Sequence, residues 1–263
     1  MFFNQTQSAG EAPKVEYPQL TERWEYSAET KHFKSYSFEA KKQFQVDATN
    51  MEFIGIGADF MAIKMWDMNH GYIESGVIPT VPTGLPTPET PIKEQQRWSA
   101  VWNIQVGQYD NKEEKYKTVD SGNYNQLKEK YSKSYYLVVY AVYDGNLVEI
   151  RLKGKAKTYF WEFLSSSRAA LTSKKIKLSE FEEVKIKKDT YFLPRFSLGS
   201  DITPQELEIC KEKTKELDTF VSSFKAKQLH YIKTDKDVAK EVFSEPPSLE
   251  EHKSEINPED LPF

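Results

Sequence analysis

The stretch Glu149–Phe163, EIRLKGKAKTYFWEF, sets Arg151, Lys153, Lys155 and Lys157 at alternate positions and then delivers Tyr159 and Trp161. Cations meet phosphates and flat rings meet the π-faces of bases, so this pairing is the texture expected of a groove that holds an unpaired polynucleotide without cutting it. Lys185–Phe196, KIKKDTYFLPRF, repeats the texture with Lys185, Lys187, Lys188, Tyr191 and Arg195, and FMAIKMW sets Lys64 beside Trp66. Stacking contributes roughly 1–3 kcal/mol per base, so two or three such rings suffice for useful affinity. For any single ring, burial in a core is the competing reading. The recurrence of the pairing carries the argument.

Residues for covalent or metal chemistry are harder to assemble. His32, His70, His230 and His252 are scattered, with no HxH or HExxH spacing, and no phosphate-cradling glycine loop occurs. Ser165–Arg168 lacks the flanking glycine of a nucleophile elbow. The single cysteine, Cys210, excludes a disulfide framework or thiolate cluster and falls on an apolar stripe. Acids such as Asp47, Asp59 and Asp67 would be needed for a metal-dependent nuclease, and their spacing does not single them out from surface carboxylates. A non-enzymatic chain with no cofactor and no metal is the expectation.

Charge is segregated along the 263 residues. Nine Asp/Glu against three Lys place Asp235–Phe263 at −6, so residues 1–234 carry +2 of the net −4. Arg151–Arg195 alone has twelve Lys/Arg against five Asp/Glu. A basic body with an acidic tail points to a nucleic-acid partner. No run of eighteen apolar residues and no leader-like start appear, so a cytoplasmic protein without a membrane segment is expected.

The elements that must position these residues are mostly strands. Residues 1–31 read as a polar arm, 32–232 as the binding domain, and 233–263 as a disordered acidic tail with low hydropathy and proline. SFEAKKQFQV, NMEFIGIG and DFMAIKMWDM are short, aromatic and β-branched segments punctuated by glycine and Asn69-His70-Gly71. Ile78–Pro91 holds five prolines and predicts an extended loop. RWSAVWNIQV alternates with period two. Tyr135–Tyr143 is apolar on both faces, Asp144-Gly145-Asn146 makes a turn, and the return strand puts Val148, Ile150 and Leu152 inward and Glu149, Arg151 and Lys153 outward. Two helices interrupt this text. One has a stripe through Phe160, Phe163, Leu164, Ser167 and Leu171. The other opens with the capping box Thr203-Pro204-Gln205-Glu206 and has a face through Leu207, Cys210, Leu217, Val221 and Phe224.

The phrase Glu259-Asp260-Leu261-Pro262-Phe263 resembles the acidic tip of bacterial and phage single-stranded DNA-binding proteins, which commonly finish in Asp-Asp-Leu-Pro-Phe or Asp-Asp-Ile-Pro-Phe. The resemblance implies that Phe263 enters an apolar pocket on a replication or repair enzyme, with its carboxylate on a basic residue. Leu261 and Pro262 accompany it, Pro262 limiting the entropy lost, and Glu259 and Asp260 are drawn to a basic rim. It also implies an OB-fold-like antiparallel barrel, here elaborated by the proline-rich loop and two helices into a β-rich α+β domain. The body departs from the common bacterial pattern in length and in its opening strand, which is closer to a divergent phage or mobile-element type acting in a bacterial cell or an infected host. Such a protein coats single-stranded DNA during replication, recombination and repair and recruits partners through its tip. The acidic tail can cover the basic groove until DNA displaces it. The competing classes are a metal-dependent nuclease or recombination factor, and a structural interaction protein without DNA binding.

Overall fold

The computed structural model describes residues 13–79, 104–110, 115–122, 126–127, 130–131 and 135–234. The described strands are β1 Glu22–Ser27, β2 His32–Ser37, β3 Lys42–Asp47, β4 Glu52–Asp67, β5 Gly71–Ser75, β6 Ile78–Pro79, β7 Ile104–Asp110, β8 Lys115–Gly122, β9 Tyr135–Tyr143, β10 Asn146–Leu152, β11 Lys174–Ile186 and β12 Asp189–Asp201. They form one large sheet in the order β3-β2-β1-β10-β9-β4-β5-β7-β8, with β6 and the β11–β12 hairpin joined to β4. Helix α1 spans Gly154–Ser167 and helix α2 spans Pro204–Thr234.

Local sequence builds the centre. Tyr135–Tyr143 has apolar residues on both sides and is buried along almost its whole length. Asp144 and Gly145, with φ of 47° and 75°, make the tight turn whose twist suits a hairpin, and β10 returns in antiparallel register. The polar end of Phe38 to Lys41 separates SFEAKKQFQV into the end of β2 and β3. NMEFIGIG and DFMAIKMWDM, by contrast, are one sixteen-residue strand. Register shifts between Gly55, Gly57 and Phe60 mark the bulges that bend it.

The expected antiparallel barrel is replaced by an open mixed sheet. Among the described strands the order does not return on itself, and β1 runs parallel to β10, pairing Glu22 with Val148 and Glu25 with Arg151. Strand β1 comes from the segment assigned to the arm. Its Trp24 is fully buried against Phe33 and Tyr143, so the domain begins before residue 31. Of the proline-rich segment, Ile78 and Pro79 pair with Met61 and Phe60, and residues 80–91 lie outside the described ones. In RWSAVWNIQV only Ile104–Val106 are described, within β7.

The sheet is covered on both faces. On one, here the back, α1 and the β11–β12 hairpin pack Phe160, Phe163, Ile176 and Leu178 against Trp24, Val139, Val148 and Ile150. On the other, the front, Leu217, Phe220, Val221 and Phe224 of α2 pack on Phe60, Val138, Tyr140 and Leu147. The capping box forms as the sequence predicts: the Glu206 amide donates to Thr203 Oγ1 at 3.3 Å and the Thr203 amide donates to Glu206 Oε2 at 3.0 Å. Cys210 is buried, and burial raises its thiol pKa. Leu207, expected on the apolar face, is exposed instead, and Phe220 carries the centre of that face. No helix among the described residues is long and apolar enough to cross a membrane.

Candidate nucleic-acid interface

Helix α2 covers only the middle of the front face. The alternation of strands brings a continuous polar and aromatic strip beside it. From β2 to β5 this strip carries Lys34 and Tyr36, then Arg23 and Glu25, then Glu149 and Arg151, then Tyr136, then Lys64 and Trp66, then Tyr72 and Glu74. Six strands at the usual spacing span about 24 Å, which separates the rings at its two ends.

Ion pairs tie the strip together. Lys64 Nζ lies 2.7 Å from Glu25 Oε2, and the Tyr136 hydroxyl donates to Glu25 Oε1 at 2.9 Å. Arg151 Nε donates to Glu149 Oε1 at 2.6 Å, and Arg23 Nε stands 2.9 Å from the same oxygen. Arg151 Nη1 stands 3.5 Å from Glu74 Oε2. Lys153 Nζ lies 5.7 Å from the Tyr136 ring centroid, within cation–π range. Five cations, Arg23, Lys34, Lys64, Arg151 and Lys153, outnumber the three carboxylates of Glu25, Glu74 and Glu149 here.

The exposed rings lie on this same face. Among the residues whose side chains are described, four aromatic rings are exposed: Tyr17, Phe38, Trp66 and Tyr72. Phe38 follows β2 with the Arg23 guanidinium 5.6 Å from its centroid. Trp66 and Tyr72 face each other across the β4–β5 hairpin, 4.9 Å between centroids and nearly perpendicular. Tyr17 leans on Phe220 at 5.2 Å, in a segment anchored to α2 by the Gln19 amide donating to Glu216. Protein surfaces hide most large rings, so four exposed ones gathered on one cation-bearing face set this face apart.

The sequence candidates divide between the two faces. Lys64, Trp66 and Lys153 belong to the front strip. Arg151 lies beneath it, 1% exposed, and not on the outward side that the alternation predicts. The reason is that side chains from its own and neighbouring strands, Glu149, Glu74 and Glu25 among them, crowd around its guanidinium. Burial opposes the Arg151 charge, but the charges of Glu149 and Glu74 and the hydrogen bond to Glu149 outweigh it and the guanidinium stays protonated.

Lys155, Lys157, Tyr159 and Trp161 ride on α1 at the back. Tyr159 is held from both sides: its hydroxyl donates to Glu182 Oε2 at 2.9 Å, and the Arg195 guanidinium sits 3.7 Å above its ring while also pairing with Glu182. Trp161 is half-buried in the wall of a cleft of about 630 Å³ between α1, α2 and the bulged part of β4. Lys185 is exposed, 3.6 Å from Glu183, and Lys187 and Lys188 form the exposed β11–β12 turn, with Tyr191 half-buried behind them. Residues Glu259, Asp260, Leu261, Pro262 and Phe263 lie outside the described residues. Among the described residues no three of His, Cys, Asp and Glu converge on one point.

Sequence reasoning missed Arg23, Phe38 and Tyr72. Tyr72 had a usable signal. Asn69-His70-Gly71 marks a hairpin turn, and counting outward from it sets Tyr72 opposite Trp66.

Glu25 yields a pH prediction. Burial raises its pKa, but the hydrogen bond and charge of Lys64 and the Tyr136 hydroxyl outweigh this and leave it below the ordinary 4.5. A depressed carboxyl adds stability that is present above its unfolded pKa and lost as pH falls through the folded one. Glu25→Gln is therefore expected to lower the urea-unfolding free energy by up to about 1 kcal/mol at pH 7, and the gap to wild type closes below pH 4.5. A gap independent of pH would show that Glu25 contributes through packing and not through its charge.

No family model, no curated protein and no solved structure matches this chain.

Proposed function

We propose that this protein binds single-stranded DNA, without cleaving it, during replication or recombination, and that the front sheet face is the grip. The observation that carries this reading is that the four exposed aromatic rings of the described residues frame one face where cations outnumber carboxylates. Rings at both ends accept bases by stacking, while Arg23, Lys34, Lys64 and Lys153 attract the phosphates between them. The grip is a sheet face in place of the groove of a closed OB barrel. Lys187 and Lys188, on the other side, extend the attraction for a strand that leaves this face. Partner capture by Glu259–Phe263 belongs to the proposal on the strength of the sequence resemblance.

The test is a titration with a labelled single-stranded oligonucleotide and its duplex at two salt concentrations, followed by tryptophan fluorescence. Quenching, preference for the single strand, and log K falling linearly with log salt are expected. Removing Leu261–Phe263 leaves that affinity intact or tighter and abolishes partner capture. Equal affinity for duplex and single strand, or insensitivity to salt, would remove the reading.

A further inference from the structure

We propose that Arg151 is a phosphate subsite at the centre of the front face, and that Glu74 holds it until a nucleic-acid phosphate takes its place. This rests on the single-strand reading above.

The local charge balance motivates it. Two guanidiniums, Arg23 and Arg151, share the one buried carboxylate of Glu149, which is 1% exposed. Glu149 can neutralise only one of them. The remaining positive charge faces Glu74, whose carboxylate is 3.5 Å from Arg151 Nη1 and makes no hydrogen bond to it. Both Arg151 Nη1 and Arg23 Nε are buried donors without an aligned acceptor. Arginine does not shed its proton, so these N–H groups stay available to a stronger acceptor. A phosphate has more oxygens than one carboxylate and suits the planar donor fork of arginine.

The surroundings allow the exchange. Glu74 is at the rim of the strip with its side chain 44% exposed, so an incoming phosphate can reach the place its carboxylate holds. Lys64, its cross-strand partner, and Lys153 flank the same place and would attract the incoming phosphate. Trp66 and Tyr72 stand one pair further along the hairpin, which sets a stacked base beside its own phosphate. Glu74 thus selects against weak anions and lets a polyanion through, because only a chain already held by its neighbours competes with a tethered carboxylate.

Glu74→Gln in the full chain tests this, with a labelled thymidine oligomer as the probe. The variant is expected to bind about tenfold tighter. Its plot of log K against log salt should run parallel to that of wild type, because the same phosphate is neutralised in both once Glu74 has been displaced. Unchanged affinity with a lowered Tm would make Glu74 a structural partner only and overturn the inference. Inorganic phosphate, compared with chloride at matched ionic strength, gives a readout that does not need DNA. It should raise the Tm of Glu74→Gln more than that of wild type. If wild type ignores the oligomer while phosphate still stabilises the variant, the subsite stands and the single-strand reading falls. If phosphate acts equally on both proteins and the oligomer affinities are equal, the subsite falls.

Discussion

Replacing Trp66 and Tyr72 together by alanine is expected to weaken single-strand binding by at least about thirtyfold while the domain stays folded. Each stacked base contributes roughly 1–3 kcal/mol through its ring, and two rings lost together remove about 2–6 kcal/mol. Both rings are 64% exposed, so removing them opens no core cavity. What stability is lost comes from their mutual edge-to-face contact, about 0.5–1.5 kcal/mol, a Tm change of a few degrees. Anisotropy titrations of the single and double variants, with melting curves alongside, separate the two effects. Phe38→Ala at the far end of the strip should cost less, one base contact at most. Wild-type affinity in the double variant would mean that the strand does not cross the β4–β5 hairpin, and the proposed grip would have to move to the lysines at the back.

Glu149→Ala is expected to be the most damaging single substitution on the strip, though Glu149 itself touches no solvent. It leaves Arg151 buried without its hydrogen-bonded partner and Arg23 without its counter-charge. Breaking a buried pair in this way typically costs 3–5 kcal/mol. Removing both charges is different: Glu149→Leu with Arg151→Met fills the same volume without a stranded ion. Arg23, about one-third exposed, can then turn to water. That double variant should recover most of the lost stability in urea unfolding, yet lose oligonucleotide affinity because the phosphate subsite is gone. A cost below about 1 kcal/mol for Glu149→Ala would show that water reaches the Arg151 guanidinium and that it is not sealed beneath the face.

These two variants show why some site residues could be read from the sequence and others could not. Trp66 beside Lys64 is visible as a pairing of ring and cation, and its partner Tyr72 follows from the turn between them. Arg23 and Phe38 become site residues only because β1 lies beside β10, and that parallel pairing joins segments more than a hundred residues apart. Tyr159 and Arg195 look like a binding pair in the sequence. The fold couples them to each other through Glu182 at the back of the sheet.

What the amino-acid sequence determined by itself is what depends on near neighbours. It specified the Tyr135–Leu152 hairpin through the apolar run of its first strand and the Asp-Gly turn. The start of α2 follows from the Thr203–Glu206 capping box, and the apolar stripe of α1 from its spacing. These rest on backbone dihedrals and hydrogen bonds within a few residues, which side-chain type controls directly. The tertiary structure alone decided that the sheet is open and mixed, that Arg151 is covered while Trp66 is not, and that the exposed rings collect on one face. Alternation says which residues share a side of a strand. It does not say what will cover that side, because cover comes from long-range pairing and from where α2 lands on the sheet.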